Sequence, residues 1–253
     1  MLTETFDPTT EAIINPTPRA DAPAVDACIM TFSHVIESFV LANFETTVIG
    51  VLTAVNGDTP IYKFTWNGKQ FAFFKTCVGA PACAGTLEQS LSQIRTKKYI
   101  LFGGCGCLDR EIARGKVIIP TSAYRDEGTS YHYAPAADYI NVDNYGAVVR
   151  FMEEYGIPYV TGKTWTTDAF FRETRGNMAK RKAEGCLSVE MECAAVQAVA
   201  SWRELDLYVF FTSGDLLDAP KWDERRKAGQ LVHTQHDAGH FYIALGLADF
   251  VTR

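Results

Sequence analysis

The chain has 253 residues, of which 47% are hydrophobic and 21% charged, enough apolar mass for one sizeable α/β core. Its formal net charge of -6 excludes a general binder of nucleic acid or anionic membranes, since both need a basic face. No apolar run approaches membrane-spanning length, and the N-terminus lacks a basic start followed by an apolar stretch, so neither a membrane span nor a signal peptide is expected.

Pro8, Pro16, Pro18 and Pro23 make residues 1–24 read as an extended arm, with residues 25–253 forming the domain proper. Apolar β-like runs come first at Ala27–Met30, Thr47–Val55 and Gln70–Cys77, with a hairpin signal at Asn67-Gly68. A helical pattern over Ala82–Arg95 leads to the run Lys98–Phe102, which ends in Gly103-Gly104-Cys105-Gly106. Glycines directly after a strand let backbone N–H groups approach a ligand, yet no Arg or Lys lies between Tyr99 and Leu108. Further strands are expected at Val117–Pro120, Pro158–Thr164 and Leu207–Thr212, and further helices at Asn141–Glu154, Val189–Glu204 and Glu224–Phe250. Helices between buried strands give a single three-layer α/β/α domain with a mixed central sheet.

Seven scattered cysteines, odd in number and without C-x-x-C, read as reduced core thiols of a cytoplasmic protein. A dinucleotide fingerprint fails because Asp109 stands at its last glycine, and a P-loop ending in Gly162-Lys163-Thr164 fails because Ile157 stands at its first. His233, His236 and His240 share one face of the last helix; this reads as a polar surface rather than a metal site.

Four segments carry chemistry. Glu190 and Glu192 flank Met191 at the start of an Ala-rich stretch, where carboxylates either cap a helix or accept hydrogen bonds from vicinal hydroxyls. Asp215 follows a buried run, the place where α/β sheets put ligand chemistry, and is also a possible N-cap. Phe170 and Phe171 offer rings for stacking, while Arg172, Glu173 and Arg175 offer hydrogen bonds to a ring edge. Arg125, Asp126 and Glu127, followed by Tyr131, His132 and Tyr133, suit either a site loop or a subunit contact.

Together these pieces resemble the nucleoside phosphorylase family of the uridine phosphorylase and hexameric purine nucleoside phosphorylase type, whose fold the methylthioadenosine/adenosylhomocysteine nucleosidases share. "VEMECAA" looks like the family's Glu-Met-Glu ribose segment. "PTSAYRDEGTSYHYAP" and "TTDAFF" are similar to segments of the uridine enzymes, and "VGAPACAGTLEQ" is similar to a Gly-rich turn entering a helix. The resemblance implies cleavage of a nucleoside N-glycosidic bond, with phosphate as co-substrate, no cofactor and no metal. It also implies a homo-oligomer, either a dimer or a trimer of dimers, with neither nucleic acid nor membrane as partner. Glu190, Met191 and Glu192 would hold ribose, Phe170 would pack on the base with Arg172, Glu173 and Arg175 at its edge, and Asp215 would be the acid, polarised by Arg225 or Arg226. The nucleophile would arrive near Gly103, Gly104, Cys105, Gly106 and Arg125.

Three departures bear on the nucleophile and the acid. "IMTFSHVIE" stands in place of the family's Gly-Asp-Pro-x-Arg phosphate turn, Leu101 in place of an Arg, and Ser213-Gly214-Asp215 in place of Ser-Asp. Three functions follow as expectations: a phosphorylase acting on uridine or a related nucleoside, including a purine one; a hydrolase using water on the same fold; and a non-catalytic nucleoside-binding protein.

Overall fold

A computed structural model describes residues 2–55, 57–111, 116–223 and 233–253. Its strands are β1 (Ala27–Thr31), β2 (Thr47–Leu52), β3 (Thr59–Trp66), β4 (Lys69–Lys75), β5 (Lys98–Cys107), β6 (Val117–Asp126), β7 (Tyr139–Asn141), β8 (Tyr159–Thr167), β9 (Cys186–Glu190) and β10 (Asp206–Leu216). The α-helices are α1 (His34–Asn43), α2 (Ala80–Gln93), α3 (Tyr145–Glu154), α4 (Arg175–Ala183), α5 (Cys193–Trp202) and α6 (His233–Val251).

All ten strands join one mixed sheet in the order β10-β6-β8-β9-β5-β1-β4-β3-β2, with β7 beside β6. Because β10 pairs with β5 as well as β6, strands β5, β10, β6, β8 and β9 close into a ring. The central strands β1, β5 and β10 run parallel, so their C-terminal ends emerge together.

Period-two alternation sorts the core into layers. Cys28, Met30, Ala72 and Phe74 face α2 and α5, whereas Ala27, Ile29, Phe71 and Phe73 face α1, α3 and α6. This is the α/β/α arrangement expected from the sequence. Asn67 and Gly68 both have positive φ, 50° and 77°, and join β3 to β4 through the expected two-residue hairpin.

Ahead of β1, Arg19 donates its backbone N–H to Ser92 O and Ala24 bridges to Arg95. Phe6 packs edge-on against Trp202.

Several expected boundaries move. The glycines at 103, 104 and 106 are not a turn: β5 continues through them to Cys107, and none has positive φ. The expected helix Val189–Glu204 is a strand up to Glu190 and a helix only from Cys193, because β9 pairs with β5 and β8. β10 runs four residues beyond Thr212. Helices α1 and α4 are additional to the expected elements. Of the expected helix Glu224–Phe250, residues 224–232 lie outside the described residues, as do Arg225, Arg226 and the side chains of His233 and His236.

Candidate active site

The first part of the site is a cleft of about 200 Å³ at the C-terminal ends of β1, β5 and β10, where parallel α/β sheets place ligands. Gly103 and Gly104 form its floor, and Thr31, Ser33 and Thr212 bring hydroxyls. Phe32, Ile36 and Phe102 wall it, and His240 reaches it from α6. Ser33 is the N-cap of α1 and accepts from Ile36 N at 3.3 Å, so the positive end of that helix dipole lies at the cleft. Gly103 is required here, since a Cβ would sit 2.7 Å from the Phe32 ring. No Arg or Lys is among the described residues lining the cleft.

Arg125 is a correction to the sequence reading. It is buried, and its Nε donates to Ser130 Oγ at 2.7 Å while Nη1 and Nη2 donate to the carbonyls of Pro135 and Ala134. It holds the loop after β6 and does not line the cleft. Lys163 is committed too, with its ammonium 4.4 Å from the centre of the Tyr139 ring. Cys105 lies behind the floor, its Sγ 3.6 Å from Thr212 O; hydrogen bonding with Cys107 and burial raise its thiol well above the usual range, so it stays protonated.

The second part is built where β9 gives way to α5. Both carboxylates are 6% exposed, but their partners differ. Glu190 Oε2 accepts from the backbone N–H groups of Glu192 and Cys193 at 2.7 and 2.6 Å. Its Oε1 accepts from Thr166 Oγ1 at 2.6 Å and Thr164 Oγ1 at 3.3 Å. With both oxygens occupied, Glu190 secures the start of α5, which is the capping role the sequence left open. Burial, then the adjacent Glu192 charge, push it up to about 8.

Glu192 Oε1 accepts from Gly79 N at 2.6 Å and Oε2 from Met191 N at 3.2 Å. Gly79 is the N-cap of α2 at φ 101°, so this contact docks the glycine turn of residues 78–81 against the Glu-Met-Glu segment. Burial pushes Glu192 up to about 7. Met191 is half-buried between the two.

The third part is Asp215. Ser213 pairs with Cys105 and Leu216 with Cys107, so β10 spends three residues where β5 spends two. The extra residue in Ser213-Gly214-Asp215 is thus absorbed as a β-bulge, the device by which strands re-aim a side chain. Asp215 turns back over β5, its Oδ1 3.3 Å from where a Gly106 Cβ would stand. Its Oδ2 accepts from Trp222 Nε1.

Beside it, the 3-10 helix Phe170–Arg172 leaves Phe170 52% and Phe171 88% exposed, with ring centres 4.1 Å apart. Glu173 follows, and burial and then the Asp215 charge push it up to about 7. Arg172 is exposed. Arg175 donates to Ala219 O at 3.1 Å and Pro220 O at 2.6 Å, so it grips the loop after β10 rather than presenting a free guanidinium.

The sequence reading did not single out Thr164, Thr166, Phe32, Ser33 or Trp222, whereas Gly79 lies in the glycine turn it identified at 78–89. Ser33 acts as a local helix cap, and the other four act through tertiary placement.

A family model described as the phosphorylase superfamily matches residues 30–236. A guanosine phosphorylase of Halorubrum lacusprofundi is 28% identical over 157 residues, 61% of this chain and 64% of its own length. A purine nucleoside phosphorylase of DeoD type from Alkaliphilus metalliredigens is 29% identical over 165 residues, 62% of this chain and 70% of its own. Another DeoD-type enzyme, from an Exiguobacterium species, is 25% identical over 159 residues, 60% of this chain and 66% of its own. The matched stretches therefore span about two thirds of these relatives.

Proposed function

The chain belongs to the phosphorylase superfamily, with nucleoside phosphorylases among its relatives, and on that footing we propose that it cleaves the N-glycosidic bond of a purine nucleoside with phosphate. The products are the free base and ribose 1-phosphate. The observation that carries the reading is the bulge in β10, which sets the Asp215 carboxyl over Gly106, two residues along β5 from the cleft floor. An acid and a nucleophile pocket are thereby held side by side, as glycosyl transfer requires.

In this reading Glu192 and Met191 receive the ribose, and Glu190 keeps their backbone in place. Phe170 stacks on the base, and Glu173 and Arg172 face its edge. The base is read as purine rather than uracil because the relatives named above are purine and guanosine enzymes, and because a purine leaves most easily when an acid protonates it. Phosphate enters the cleft beside the α1 N-terminus, which Thr31, Ser33, Thr212 and His240 help to line.

One observation favours a second reading, hydrolysis by water: Phe32, Ile36 and Phe102 give the cleft an apolar wall, no Arg is among its described lining residues, and a desolvated dianion without Arg is costly. Guanosine incubated with and without phosphate tests the two. Ribose 1-phosphate formed only with phosphate supports phosphorolysis, and ribose formed at equal rate without it supports water. Release of no base from any purine nucleoside overturns both.

A further inference from the structure

Trp222 is 65% exposed, so its indole N–H has water within reach, yet it donates to Asp215 Oδ2. The loop that carries it is closed and pinned. Leu216 N donates to Asp223 O at 2.9 Å, Asp223 N donates to Leu216 O at 3.3 Å, and Leu217 N donates to Cys107 O at 2.9 Å. Midway round, Arg175 grips the carbonyls of Ala219 and Pro220. The same side chain that reaches the loop begins α4, just after the Phe170–Glu173 segment, so Arg175 ties the loop to the aromatic segment.

We propose that Trp222 is a positioning residue for Asp215: by occupying Oδ2 it leaves Oδ1 as the oxygen that carries and delivers a proton. An indole N–H suits this task because it neither titrates nor carries charge. Trp222 thus fixes the carboxyl rotamer without placing a second charge beside it.

The inference rests on the glycosyl transfer proposed above. In that step the N9–C1′ bond breaks and its electron pair goes to the purine. The Asp215 proton moves from Oδ1 to N7, a phosphate oxygen forms the new bond to C1′, and Asp215 is left as carboxylate to regain a proton from water.

The test compares guanosine with 7-methylguanosine, which already carries its positive charge at N7 and leaves without protonation. Trp222→Phe keeps the ring and removes the N–H; its melting temperature checks the fold. The expected result is a fall in guanosine kcat of about 10-fold or more, with 7-methylguanosine kcat within about 2-fold of the parent. Trp222→His, which returns a ring N–H, recovers part of the guanosine rate. Equal loss on both nucleosides, no loss on either, or no recovery in the His variant overturns the role of Trp222 and leaves the proposed reaction standing. A parent protein that releases base from neither nucleoside overturns the reaction, and the inference with it.

Discussion

Glu192 Oε1 accepts the backbone N–H of Gly79 at 2.6 Å, across 113 residues of sequence. A single carboxylate thus ties the turn that opens α2 to the residue at the N-cap position of α5. Its other oxygen accepts from Met191 N at 3.2 Å, the weaker of the two contacts, and in the proposed reading is the one that meets a ribose hydroxyl.

Glu192→Gln therefore separates binding from folding. The amide keeps a carbonyl oxygen for Gly79 but loses the charge that a hydroxyl donor meets. A hydrogen bond to a charged group contributes about 1.5–3 kcal/mol, so kcat/KM falls about 10- to 150-fold. Steady-state kinetics beside a thermal melt check this. An unchanged rate removes Glu192 from the ribose site.

Replacing His240 with Phe tests which nucleophile uses the cleft. His240 is the only titratable side chain among the described residues lining it. If phosphate binds there, the variant raises phosphate KM about 5-fold or more, as expected when an anion loses one hydrogen-bonding partner. Under hydrolysis the base-release rate is independent of phosphate and changes little. Rates measured over a phosphate series distinguish the outcomes.

Much of the fold was legible because the buried strands and the Asn67-Gly68 hairpin are governed by local pattern. The boundaries that moved did so through pairing. Residues 103–106 read as a glycine turn because nothing local shows that β9 and β10 bond to β5 there. Glu190 read as a helical residue because its apolar neighbours fit either period, and the choice was made by β8 alongside it. The site residues with chemistry on display, Glu192 and Asp215, were visible in sequence. Thr164, Thr166 and Trp222 were not, since a threonine on a strand or a tryptophan in a loop has no signature until another chain segment arrives. Arg125 misled for the opposite reason: a cation in a polar loop looks available, and here three bonds within the loop use it up.

The bulge that aims Asp215 depends on Gly214. A Cβ there would lie 3.1 Å from the carbonyl oxygen of Cys105, a backbone atom unable to swing away. Gly214→Ala then forces β10 off β5 locally, with a stability loss of about 1–3 kcal/mol and a larger loss in purine cleavage as the carboxyl is displaced. Denaturation midpoints and kcat, measured on the same preparation, check the pair. Lowered stability with full activity makes the bulge a feature of packing alone.

The raised carboxyl groups set a pH dependence of stability whose sign follows from their direction. Glu190, at about 8, and Glu192 and Glu173, at about 7, bind protons more readily in the folded chain than at their ordinary value of 4.5. Between pH 4.5 and 8 the folded state holds more protons than the unfolded one, so stability falls as pH rises through that window. The slope is at most about 1.4 kcal/mol per pH unit for each group. Glu190 is the group to alter, because burial is the first cause of its shift and no cation is among its hydrogen-bond partners. Glu190→Gln keeps one carbonyl oxygen for the two N–H groups at the start of α5 and removes the titration. Its urea midpoint should therefore change less than the parent's between pH 5.5 and pH 8. Parallel declines in the two proteins would mean that the four hydrogen bonds on Glu190 outweigh its burial and keep it ionised throughout.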